Sequence, residues 1–137
     1  MKQIQRLLAV SAVAAIACSD SFKPTTENVL GDYNVQMLQT IDTSGTIDWV
    51  QRGGTLTISL GPFGITTGHL FLPGAAAGDG DVDQLLIGDW RLSGNTITFD
   101  MPAVDTFVRD MPWTVTENKL SGDHTVAGTR IKVVLTK

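Results

Sequence analysis

From Leu30 onward, apolar and polar residues alternate with a period of two, and no sustained helical period is present. In "GTLTISL", Leu56, Ile58 and Leu60 share one face and Thr55, Thr57 and Ser59 the other. "NTITFDM" sets Ile97, Phe99 and Met101 against Thr96, Thr98 and Asp100, and "RIKVVLTK" sets Ile131, Val133 and Leu135 against Lys132 and Thr136. β-branched and apolar inner faces with threonine-rich outer faces suit half-buried antiparallel strands. Turn-forming stretches divide the runs at 60–64, 73–83, 93–95, 116–119 and 126–129. The pattern predicts eight strands, near 30–38, 52–60, 65–72, 84–92, 95–101, 105–115, 118–126 and 129–136. Short strands at this even spacing indicate an all-β fold. An eight-stranded antiparallel up-and-down barrel closes them most simply and removes exposed edges. Pro112 cannot donate to a ladder, so the sixth strand needs a bulge or a wet side there.

The first 28 residues are patterned differently. Lys2 and Arg6 precede an apolar run from Leu7 to Ala17, which ends in "AIA" before Cys18. That arrangement reads as an N-terminal signal segment over residues 1–17. The run is shorter than the ~20 residues a membrane-spanning helix needs. Cys18 is the sole cysteine, so an internal disulfide is excluded and stability has to come from packing. Residues 18–28, with their polar, proline-containing composition, read as a flexible tether, and residues 29–137 as the folded domain. Without residues 1–17 the chain keeps 120 residues, with 8 basic and 14 acidic side chains and a formal net charge of −6. An acidic surface of this kind argues against nucleic-acid binding, which needs basic side chains to displace counterions.

"AIAC" resembles the bacterial lipobox, in which the cysteine is diacylated and becomes the mature N-terminus. The resemblance implies lipidation of Cys18 and a membrane partner held through that anchor. Two or three acyl chains, at ~0.8 kcal/mol per buried methylene, anchor stably where one does not. Ser19 after the cysteine implies the outer membrane, with the domain facing the periplasm.

Gly31-Asp32-Tyr33 resembles the G-x-W start of lipocalins and their bacterial lipocalin-like relatives. "GDWRLSGNTITF" (88–99) has the rhythm of a tryptophan-bearing strand turning tightly into an I-x-F strand in the same group. The resemblance covers most of residues 29–137. It implies a barrel whose closed end is plugged by Tyr33, with Arg130 or Lys132 packed over the ring.

Candidate chemistry is sparse. Asp79, Asp81 and Asp83 alternate as at the start of a calcium loop, but Gln84 and Trp90 stand where an EF-hand needs glycine and glutamate. A solvated loop is the reading. Parity sets His69 outward and His124 inward, so shared metal ligation is not expected. No G-x-S-x-G, H-E-x-x-H or phosphate-cradling motif occurs. Neither an enzyme, a cofactor nor a metal is therefore expected.

The barrel interior remains. Tyr33, Met37, Trp90, Phe99, Met101, Phe107, Met111 and Trp113 fall on inward parity. They either fill the core or line an apolar pocket. For a pocket, Tyr33, Trp90, Phe99, Arg109 and Trp113 are the candidate ligand-binding residues, with Arg109 as the polar handle for a ligand carboxylate. The expectation is an envelope lipoprotein binding a small apolar or amphipathic molecule. The alternative is a packed barrel that acts on an envelope protein partner as an interaction or inhibitor module. Its contact points are the Trp49 loop and the glycine-rich 73–83 loop.

Overall fold

A computed structural model describes residues 21–137. Nine strands follow one another: β1 (Gly31–Asp42), β2 (Gly45–Asp48), β3 (Thr55–Leu60), β4 (Ile65–Leu72), β5 (Val82–Ser93), β6 (Thr96–Asp100), β7 (Trp113–Val115), β8 (Lys119–Val126) and β9 (Thr129–Thr136). β2 and β3 both pair with β1, from β3 to β9 sequence neighbours pair antiparallel, and β1 also pairs with β9, which closes the sheet. β2 and β3 share one position in the ring, because β1 pairs with β3 over Gly31–Asn34 and with β2 over Gln39–Asp42. The Trp49 N–H donates to the Leu38 carbonyl at 2.9 Å, and the Gly54 N–H to the Trp49 carbonyl at 2.7 Å. Residues 50–53 thus loop out of a single interrupted stave. The result is the expected closed, eight-stranded antiparallel up-and-down barrel.

Three local readings change. β2 carries no clear alternation ("GTID") and forms because it completes the ladder on the far half of β1. The expected strand 105–115 is instead a loop, a helical turn α1 (Phe107–Asp110) and the three-residue β7. Val108 and Met111, three apart, are both buried, which is helical rather than alternating spacing. The missing donor of Pro112 limits pairing to the residues after it. Finally, the β1–β9 register shifts between Val35 and Met37. One extra residue inverts parity, so Leu38 is buried and Met37 lies in an outer groove beside Lys132 and Val134.

The two ends of the barrel differ. At one end lie only short connections, 61–64, 94–95 and 116–118, with residues 21–30 and Lys137. At the other lie the long connections 49–54, 73–81 and 101–112, beside the tight turns 43–44 and 127–128. Residues 21–30 form a turn lying against this end of the barrel, with most of its side chains exposed. Phe22 packs against the core and Val29 is fully buried. The Thr25 N–H donates to Asn28 Oδ1, and Asn28 Nδ2 donates to the Lys23 carbonyl. Tyr33 plugs this end, its hydroxyl donating to the Val29 carbonyl at 2.7 Å. Burial raises its phenol above the ordinary value. Its basic partner is neither Arg130, which pairs with Asp123, nor Lys132, but Lys137. The Lys137 Nζ sits 5.4 Å from the ring centroid and donates to the carbonyls of Asn28 and Leu30.

Between the ends the barrel is filled. Leu38, Leu56, Ile58, Leu86, Ile97, Trp113 and Leu120 are all 1% exposed or less. Thr66 is the buried polar side chain among the described residues, and its hydroxyl donates to the Ser59 carbonyl.

Candidate functional site

The long-loop end holds an apolar hollow of about 310 Å³. That is at the small end of the ~300–1,000 Å³ range of ligand pockets. Leu70 and Leu72 at the end of β4 form its floor, Trp49 and Thr40 one wall, and Thr106 and Phe107 the other, with Ala75 and Val82 at the rim. Trp49 is fixed from several sides. Its indole N–H donates to Thr40 Oγ1 at 3.0 Å, and the Arg52 guanidinium lies 5.6 Å from its ring centroid.

Three polar side chains reach this pocket. Thr40 already accepts from Trp49, and Asp105 lies 3.3 Å from Arg109. The Thr106 hydroxyl is buried and has no hydrogen-bond partner. Thr106 occupies the N-cap position of α1 without capping it. A hydroxyl left unpaired in this way carries a desolvation cost.

The residues expected to bind a ligand lie elsewhere. Tyr33 plugs the opposite end. Phe99 and Trp113 pack edge to face in the core, with ring centroids 6.2 Å apart. Trp90 is 4% exposed and donates its indole N–H to the Gly61 carbonyl, beside a groove at the short-turn end. Arg109 is a partly exposed side chain on α1. Its guanidinium donates to Asp110, Asp105 and the Val104 carbonyl, so the loop's own acceptors occupy the proposed handle. The pocket is built instead from the Trp49 and 73–83 loops, together with Phe107. Cys18 lies outside the described residues.

The acidic loop does not converge on one point. Asp81 Oδ1 accepts from the Gly74 N–H and Asp83 pairs with His69 on the outer wall. Among the described residues no cluster of three or more His, Cys, Asp or Glu side chains is placed to hold a metal ion.

Near this end Arg109 pairs with Asp110 within α1, and Arg130 pairs with Asp123 between β9 and β8. Hydrogen bonds from Arg109 hold the Asp110 carboxyl below its ordinary range, and those from Arg130 do the same for Asp123. The Ser44 hydroxyl and N–H lower Asp42 likewise. Because these folded-state values lie below the unfolded ones, the pairing stabilises above the unfolded pKa of about 4. It is lost as pH falls through the folded values. The thermal midpoint should therefore decline as pH is lowered below about 4, and Arg130→Ala should make that decline shallower. An unchanged acid-side slope would assign the decline to other carboxylates.

Fold and site together define a closed antiparallel barrel with a filled interior, a plugged end and a shallow apolar pocket among the loops of its mouth. No protein-family model, curated protein or solved structure matches this chain.

Proposed function

We propose that this chain is a lipid-anchored protein of the cell envelope, held at Cys18 on the outer membrane and facing the periplasm. Its lipocalin-like barrel binds a small apolar or amphipathic molecule in the pocket at the mouth. The observation that carries the binding reading is the 310 Å³ hollow, whose walls are Trp49, Leu70, Leu72 and Phe107. Binding sites concentrate on loops held by a rigid scaffold, and the three longest connections meet here. Recognition rests on apolar contact, and not on Arg109. The role is binding and not catalysis.

The test is titration of the full chain with the fluorescent apolar probe N-phenyl-1-naphthylamine, paired with native mass spectrometry for a copurified small molecule. Ala75→Trp, at the rim, should fill the pocket and weaken probe binding by at least about tenfold, equivalent to ~1.4 kcal/mol. Absence of probe binding by the native chain, or equal binding by the variant, would remove the mouth as a ligand site.

The second reading, a packed barrel acting on a protein partner, is favoured by one feature. Leu85 and Ile87 project from the outer wall of β5 and are 62% and 59% exposed. Capture of a defined envelope protein by the native chain, lost in Ile87→Asp, would establish it.

A further inference from the structure

Phe63 is 98% exposed and has φ of +60°, in the left-handed region that bulky side chains avoid. An aromatic here is unfavourable both to hydration and to the backbone, whereas glycine would avoid both penalties. The loop is nevertheless firmly held. The Gly61 N–H donates to the Ile65 carbonyl at 2.8 Å, the Ile65 N–H donates to the Pro62 carbonyl, and Trp90 Nε1 donates to the Gly61 carbonyl at 2.9 Å. A pinned loop thus presents a bare phenyl ring to the exterior at the plugged end. Ile65, 53% exposed, continues the apolar surface. Beside it runs a groove of about 700 Å³ with Leu30, Pro62, Trp90 and Leu92 in its walls.

The path of the chain identifies what meets this surface. Phe22 is packed on the barrel, and residues 26–30 border the Phe63 groove. Cys18 precedes Phe22 by four residues, which span at most ~14 Å when fully extended. Whatever is attached at Cys18 therefore lies beside the plugged end. Charge is distributed to match. The loop 61–66 carries no ionisable side chain, and around it Glu27, Asp32 and Glu117 are offset by Lys23, Lys119 and Lys137, whereas acidic side chains outnumber basic ones at the mouth end. Anionic headgroups repel that acidic end and leave the plugged end to face them.

We propose that the plugged end of the barrel is a membrane-contacting face, with the Phe63 ring entering the headgroup–acyl boundary of the bilayer and the mouth directed away from it. The proposal rests on reading Cys18 as the point of membrane attachment. Aromatic side chains favour this boundary, and apolar area buried in it adds to the hold of an acyl anchor.

A chemically imposed anchor makes the test independent of whether cells lipidate the cysteine. The full chain is coupled at Cys18, its single cysteine, to a maleimide lipid and placed on phosphatidylcholine vesicles containing shallow spin-labelled lipid. Tryptophan is introduced at Phe63→Trp or, at the opposite end, at Val126→Trp, where the native side chain is 44% exposed. The native tryptophans are buried and give both variants the same background. Quenching of the Phe63→Trp signal should exceed that of Val126→Trp several-fold. Equal quenching, or stronger quenching at position 126, overturns the proposal. Phe63→Gly supplies a second readout, because a residue that serves a partner and not the fold can be removed without loss. That variant should melt no lower than the native chain, and a lower midpoint would mean that Phe63 serves folding, which also overturns the proposal. Whether cells acylate the chain is read separately, from the mass of its mature N-terminus. An unmodified cysteine there would end the lipoprotein reading and leave the vesicle result standing as a property of the surface.

Discussion

Trp113→Ala should destabilise the barrel by about 3–5 kcal/mol, the range for removing a buried tryptophan. The side chain is fully buried, its ring meets the edge of Phe99, and its indole N–H donates to the Val108 carbonyl at 3.1 Å. Truncation removes all three interactions and leaves that carbonyl without its partner. Little else holds this segment in place, because β7 has only three residues and pairs over two positions with each neighbour. The indole is also what holds α1 against the barrel, and α1 with the residues before it forms the Phe107 wall of the pocket. Chemical denaturation should register the loss of stability, and hydrogen exchange should show faster opening over 104–111 than over β3–β4. Trp113→Phe restores ring volume without the donor and should recover most of the stability but little of the protection in that loop. A loss below about 1 kcal/mol, the usual scale for a surface substitution, would mean that the packing around Trp113 is misread.

The second large effect is expected at a position with no side chain. A Cβ built on Gly88 would lie 2.1 Å from the Asp100 carbonyl oxygen, and one on Gly68 would lie 2.2 Å from that of Thr57. Both glycines belong to the inward-facing set of their strands, two rungs apart in the β4–β5 ladder where Thr66 pairs with Gly88 and Gly68 with Leu86. There the sheet coils so tightly that one strand's backbone crosses close over the next, a role for which strand glycines are suited. The obstructing atoms are backbone and cannot rotate away. Gly88→Ala should therefore cost on the order of 3 kcal/mol, the upper part of the usual range for overpacking. Gly80→Ala, at φ of −75° and with no atom closer than 3.7 Å to the added Cβ, separates this steric effect from the general cost of replacing glycine. Equal melting points for Gly88→Ala and Gly80→Ala would contradict the close approach.

Much of the fold was legible because a barrel stave announces itself through strict alternation. Leu56, Ile58 and Leu60, or Ile131, Val133 and Leu135, are all buried as their parity requires. The failures arose where alternation was present by accident or was broken by one residue. Phe107, Arg109 and Met111 alternate in sequence, yet the chain turns through a helix there. Met37 lost its place in the core to Leu38 through a single bulged residue, which no pattern over a short window reveals. The pocket was harder to read than the fold for a related reason. Its walls come from connections far apart in the chain, and only closure of the ring brings Trp49, Leu70 and Phe107 together. The large aromatics that parity singled out went to the filled interior, where volume is most needed. Strand parity turns Arg109 inward as a handle for a ligand carboxylate, but Asp105 and Asp110 become its partners once residues 107–110 are helical.

The break in the second stave has a consequence of its own. Trp49 is bonded to Leu38 and Thr40, both on β1, while β3 is held by the other half of β1 and by β4. Residues 50–53 close as a separate turn, with the Gly53 N–H on the Val50 carbonyl and the Gln51 N–H on Asp48. The four β1–β2 rungs and the four β1–β3 rungs share no residue, so either set can open while the other stays paired. This stave is two short ladders in place of one long one, and amide exchange in the four-residue β2 can report an opening cheaper than that of the whole barrel.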